Sequence, residues 1–88
     1  MSAKFRYSLH AREELLRRSI PQAVADEVLR HPEQIVIERA SRKTYQSRID
    51  FGDGKVFLVR VIVDDMPEPP VVVTAYRTSK IQKYWRQP

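Results

Sequence analysis

Residues 44–63 read TYQSRIDFGDGKVFLVRVIV, and this stretch decides the fold. Thr44–Phe51 and Val56–Val63 are runs of β-branched and aromatic residues with a period near two, the pattern of strands half-buried on a sheet. Gly52-Asp53-Gly54 between them supplies two residues free to adopt positive φ, so the two runs are predicted to close as an antiparallel hairpin. If the pleat turns Phe57, Val59, Val61 and Val63 toward a core, Arg60 must point to the opposite face. In the first run Gln46 and Arg48 share a face, opposite Tyr45, Ile49 and Phe51. The expected result is a cationic sheet face. Its plain structural account is cross-strand pairing of the arginines with acids such as Asp50 and Glu38.

Working outward, Ile35-Val36-Ile37 and Val71–Arg77 read as two further strands, the last preceded by the loop Asp64-Asp65-Met66-Pro67-Glu68-Pro69-Pro70. Short connections of this kind favour antiparallel neighbours. Upstream, Ser8 is placed to cap a first helix. Ser19-Ile20-Pro21-Gln22 reads as a capping box with proline in the first turn of a second helix, which ends before Pro32. Leu9, Ala11, Leu15 and Leu16 are expected on the apolar side of the first helix, and Val24, Val28 and Leu29 on that of the second. The expected architecture is α+β: an N-terminal helical hairpin on a four-stranded antiparallel sheet, with a short helix near Ser79–Trp85 and a single domain over residues 1–88.

Composition narrows the class of protein. A chain of 88 residues buries only about 60–65% of its unfolded surface, which implies modest stability and a monomer or homodimer. Its 42% hydrophobic content supports a core, and a formal charge of +5 favours polyanions or an acidic protein as partner. Eleven of the sixteen cations are arginine, whose planar fork matches phosphate and carboxylate oxygens two at a time. Cysteine is absent, which excludes disulfides and thiol chemistry. No apolar h-region opens the chain and no run approaches the roughly 18 apolar residues of a membrane helix, so a cytoplasmic protein is expected. The histidines are far apart, and both glycines belong to the hairpin. Neither a metal nor a phosphate-loop cofactor is therefore expected.

The residues able to carry chemistry fall into three groups. Thr74–Pro88, TAYRTSKIQKYWRQP, holds Arg77, Lys80, Lys83 and Arg86 with the aromatics Tyr76, Tyr84 and Trp85 and no acid, a combination suited to phosphates and stacked bases. A solvated basic tail, with Trp85 folded back on the core, is the simpler account of the same residues. On the first helix His10, Glu14 and Arg18 recur every four residues, a charged row expected to face solvent, where a carboxylate beside an imidazole would favour its protonated form. An ordinary hydrated helix face would look the same. His31, beside Pro32, reads as a helix-terminal histidine complementing the dipole. The strand arginines Arg48, Arg60 and Arg77 form the third group.

His10-Ala11, Arg18-Ser19-Ile20, Val28-Leu29, Arg42–Arg48 and above all Val71–Tyr84, ending YRTSKIQKY, resemble a small prokaryotic domain family of unknown function, generally grouped with the RelE and BrnT type toxins. The resemblance runs from about Tyr7 to Trp85. It implies helices packed on a curved antiparallel sheet and a metal-independent endoribonuclease of a toxin–antitoxin type system. RNA, including ribosome-associated mRNA, would be its substrate and an acidic antitoxin its protein partner. Carried onto this chain, it implies catalytic roles for His10, Arg60, Tyr76, Arg77, Lys80 and Tyr84, and RNA contacts from Arg18, Arg48, Lys83 and Arg86. Glu14 departs from the pattern, which places a basic residue there. A non-catalytic module that binds RNA or a protein through the same basic face is the alternative.

Overall fold

A computed structural model describes residues 4–87; Met1–Ala3 and Pro88 lie outside the described residues. The elements run β1 (Arg6–Tyr7), α1 (Leu9–Arg17), α2 (Gln22–Arg30), β2 (Gln34–Arg39), β3 (Arg42–Asp50), β4 (Val56–Asp64), β5 (Val71–Thr78) and α3 (Ile81–Tyr84). They form one sheet in the order β1-β5-β4-β3-β2. The antiparallel meander β2 to β5 matches the sequence expectation. The sheet has five strands, however, because β1 adds to its edge parallel to β5, with Arg6 beside Val71 and Tyr7 beside Val72. Two residues are too few to show a period. Backbone bonds from Arg6 N to the Pro70 carbonyl (2.9 Å) and from Ser8 N to the Val72 carbonyl (3.0 Å) hold that strand in place.

The hairpin closes as its glycines dictate. Gly52 and Gly54 take φ of 117° and 74°, with Asp53 between them at 54°, a left-handed run that side chains with a Cβ rarely adopt. It fixes the β3–β4 register over nine residue pairs, from Arg42 opposite Asp64 to Asp50 opposite Val56.

The helices differ in two respects from the sequence reading. Ser8 does cap α1, its hydroxyl accepting from Ala11 N at 3.0 Å. The buried side of α1, however, is Ala11, Glu14 and Leu15, while Leu9 and Leu16 are 74% and 83% exposed. At about 100° per residue Leu9 and Leu16 fall on the side opposite Ala11 and Leu15, so the four apolar residues never shared a face. The box at Ser19 does not form: Ser19 sits at φ 55° in the turn, and α2 starts after Pro21 with no side-chain cap. The helices also find their partners in the sheet rather than in a hairpin of their own, α1 against β5 and α2 against β3 and β4. Ala11, Leu15, Ala25 and Val28 there meet Val59, Val61, Val63 and Ala75, all at most 3% exposed. The short α3 and the residues after it cross the other face. No helix among the described residues is long and apolar enough to cross a membrane.

Candidate nucleic-acid interface

The register places four polar side chains in a line across the face turned away from α1 and α2. Gln34 on β2 lies opposite Gln46 on β3, Gln46 opposite Arg60 on β4, and Arg60 opposite Tyr76 on β5. Directly opposed residues project to the same face, within reach of one another. Hydrogen bonds follow the line. Gln46 Nε2 donates to Gln34 Oε1 at 2.8 Å, Arg60 Nε donates to Gln46 Oε1 at 2.8 Å, and Arg60 Nη1 donates to the Tyr76 hydroxyl at 2.6 Å. A branch leaves the line at Arg60, where Nη2 donates to Glu38 Oε2 (3.2 Å). The same oxygen accepts from the Thr44 hydroxyl at 2.6 Å.

The end of the chain roofs this row. The Tyr84 ring lies 4.4 Å from the Arg60 guanidinium and edge-on to Tyr76 at 6.2 Å, while the Tyr84 carbonyl accepts from Gln46 Nε2 at 3.2 Å. Arg86 continues the cover: its carbonyl accepts from Gln34 Nε2 at 2.7 Å and its N–H donates to Gln34 Oε1 at 3.1 Å. Beside them the Arg48 guanidinium lies 4.2 Å over the Trp85 ring, pinned by Glu33, which accepts at 2.8 Å. That fork holds the Glu33 carboxyl below its ordinary range. Arg60 is consequently 7% exposed and Gln46 fully buried, and among the described residues no buried side-chain nitrogen or oxygen lacks a partner. A buried guanidinium requires such complete pairing, since an unmatched charge or amide would be costly in a dry interior.

Tyr76 is where the row meets the rim. Burial pushes its phenol up; the Arg60 hydrogen bond and charge pull the other way, and Tyr84 adds to the rise. At neutral pH the group is therefore a phenol able to donate a proton. Arg18 comes round the edge of β5 to within 5.9 Å of the Tyr76 ring. Glu14 holds it there, accepting from Arg18 Nε at 2.8 Å and from Arg17 at 3.0 Å. The Arg17 fork and the single Arg18 bond bring the Glu14 carboxyl down to about 2.

Of the residues expected to converge, Arg60, Tyr76 and Tyr84 do so, with Arg18 at the rim. Three others lie elsewhere. Arg77 stands opposite Val59 on the helix-facing side, with its guanidinium 4.4 Å from the Phe51 ring and 4.7 Å from that of Phe57; alternation along β5 forbids Tyr76 and Arg77 from sharing a face. His10 is exposed on α1, and the row it was assigned to is not a solvent-facing one, because Glu14 is buried. Lys80 is exposed just before α3, its backbone N–H bonded to the Thr78 hydroxyl at 3.0 Å. Lys83 reaches the Tyr84 ring at 5.3 Å, and Arg86 is exposed at the roof's edge.

Sequence reading missed Gln34, Thr44 and the central role of Gln46, and cast Glu38 only as a pairing acid. A signal existed. Gln46 and Arg60 are equidistant from Asp53, so a hairpin centred there sets them face to face. The bulge between Ile37 and Arg39 that turns Glu38 toward Arg60 leaves no comparable mark. Elsewhere, a shallow apolar groove of about 290 Å³ between α1 and α2, lined by Leu15, Leu16, Ile20 and Pro21, is separate from this row.

Fold and site together define a small α+β domain with a buried arginine row on one sheet face and a basic, aromatic end folded over it. The chain belongs to the family DUF4258, a domain of unknown function, whose pattern it matches over residues 7–77. No curated protein and no solved structure matches the chain. The match ends at Arg77, so the roof formed by Tyr84, Trp85 and Arg86 lies beyond it.

Proposed function

We propose that this domain is a toxin-like, metal-independent endoribonuclease of the RelE and BrnT kind, acting on single-stranded RNA in the cytoplasm at the Arg60 row, with an acidic antitoxin as its protein partner. The observation that carries the reading is one guanidinium bonded on one side to a phenol and on the other to a carboxylate. RNA cleavage by its own 2′-hydroxyl needs a base to take that proton, an acid for the departing 5′-oxygen and a cation for the charge on the phosphorane. Glu38 is the base and Tyr76 the acid; Arg60, 7% exposed beneath Tyr84, bonds to both and fixes their positions, while Arg18 at the rim is the cation that faces the phosphorane. The 2′-oxygen bonds to phosphorus as the P–O5′ bond breaks, leaving a 2′,3′-cyclic phosphate and a 5′-hydroxyl. Arg48, Lys83 and Arg86 flank the path of the strand, and Tyr84 and Trp85 offer rings for its bases.

The second reading is a non-catalytic module that binds RNA or a protein. What favours it is the burial of Arg60 with each of its three nitrogens bonded to a protein acceptor, as in a row built for rigidity. Purified protein with a defined RNA, with and without EDTA, separates the two. The nuclease reading requires cutting that EDTA does not affect, that stops when the ribose upstream of the cut is replaced by deoxyribose, and that falls about a hundredfold or more in Tyr76→Phe. Binding without cutting, with an affinity that declines as salt rises, would select the module instead.

A further inference from the structure

The free edge of the sheet is β2, and it carries a feature that the RNA reading does not use. Ile35 and Ile37 project from it 51% and 73% exposed, on the face opposite the arginine row, where α2 covers β3 and β4 and stops short of the last strand. An edge strand presents unpaired N–H and C=O groups, and natural proteins blunt such edges when they must stay single. Here the blunting is confined to one end, where the bulge between Ile37 and Arg39 interrupts a regular stretch. We infer that this domain forms a two-fold dimer through antiparallel pairing of β2 with β2 of a second copy.

The argument for a second copy is self-complementarity. The segment Glu33–Arg39, EQIVIER, has an acid at one end and a base at the other. With the axis on Val36, Ile35 falls opposite Ile37 of the second copy, so four exposed isoleucines cover one another. Beyond the bulge, Arg39 of the second copy lies toward the end where Glu33 already holds Arg48 through both carboxylate oxygens, so the isoleucine pairing carries the match. Parallel pairing would set like charge against like, which disfavours it. The opposite edge does not compete, since β1 offers only two residues and Arg18 lies along β5 beyond it. The dimer joins two five-stranded sheets into one, with both arginine rows on the same side because opposed residues keep a common face. A single strand pair makes a small interface, below the roughly 1,200 Å² of specific stable complexes, and implies a weak, concentration-dependent dimer.

Sedimentation equilibrium of the whole chain from about 1 μM to about 1 mM tests this. The expected result is reversible dimerisation, weakened at least about tenfold by Ile37→Lys and weakened also by Arg39→Glu. Ile37 is mostly exposed, so its variant keeps the fold, which circular dichroism verifies. Leu16→Lys, on the exposed side of α1, should leave the dimer unchanged. A monomer throughout the range would overturn the inference, as would a dimer indifferent to Ile37→Lys or one abolished by Leu16→Lys.

Discussion

The two faces of β4 are both buried, and by opposite means. Toward α1 and α2, Val59, Val61 and Val63 are 0% exposed among other apolar residues, where burial itself is favourable and close packing suffices. On the other face Arg60 is 7% exposed, where burial is unfavourable unless each polar atom finds a partner. The first face needs only residues of the right size. The second needs Gln34, Gln46, Tyr76 and Glu38 at fixed register positions, and a roof from the chain's end. A sheet that needed only stability would repeat the first solution on both sides, since an apolar replacement of a buried ion pair is often neutral or stabilising. The polar face is therefore where function is to be sought.

The comparison is tested most strongly by leucines, one on each side. Leu58, fully buried on the row's face, and Leu15, 3% exposed on the helix face, should each lose about 2–5 kcal/mol on change to alanine. Urea denaturation reads both. A loss under about 1 kcal/mol for Leu58→Ala alone would mean that the roof of α3 is loosely seated and the two faces are not equivalent in packing.

Next in size is a pair of arginines on opposite faces. On the nuclease proposal Arg60→Ala should reduce RNA cleavage about a hundredfold or more, and in either reading it should destabilise the fold by about 1–3 kcal/mol, since Gln46 loses a partner in a dry site. Arg77→Ala should leave cleavage within about twofold and cost only its stacking between Phe51 and Phe57. The sequence reading expected both arginines to serve catalysis. Equal losses of activity in the two variants would break the division of labour between the faces.

That expectation shows where sequence stops being legible. The meander was readable because its strands carry a period of two and its central turn has glycines at the two positions that need positive φ. The face occupied by Arg60 followed from the same alternation. Applied one residue further along β5, that rule would also have separated Tyr76 from Arg77, but the family resemblance implied catalytic roles for both. The β1 strand, the bulge that directs Glu38 toward Arg60 and the roof made by Tyr84 and Arg86 are tertiary facts. Each depends on a residue distant in sequence, and none leaves a periodic trace. Burial of Glu14 was likewise hidden, because a carboxylate on an amphipathic helix reads as solvated until its two arginine partners are placed.

A third experiment probes the row's completeness. Gln46→Leu preserves much of the volume but removes the acceptor for Arg60 Nε and the donor to Gln34. It should cost about 1–3 kcal/mol in chemical denaturation, with m unchanged if the native state stays compact. No measurable loss would mean that water or a shifted Tyr84 carbonyl substitutes for the amide, and that the row is less rigid than its geometry implies.

The smallest expected effect concerns Glu14, which sits between the two faces by tethering Arg18 beside Tyr76. Its carboxyl is held down to about 2 in the folded chain, chiefly by hydrogen bonds from Arg17 and then Arg18, and returns to its ordinary value near 4.5 on unfolding. A depressed folded value means that the unfolded chain binds the proton first as pH falls. The stabilisation is thus fully present above about pH 4.5 and is lost as pH falls toward about 2. Glu33 and Asp64 titrate with the same sign, so the informative quantity is the difference between the wild-type chain and Glu14→Gln. Their denaturation midpoints should differ most above about pH 5 and converge toward about pH 2. Added salt should narrow the gap, because both arginines are substantially exposed. A gap constant with pH would mean that Glu14 acts through packing alone, leaving Arg18 untethered at the rim of the site.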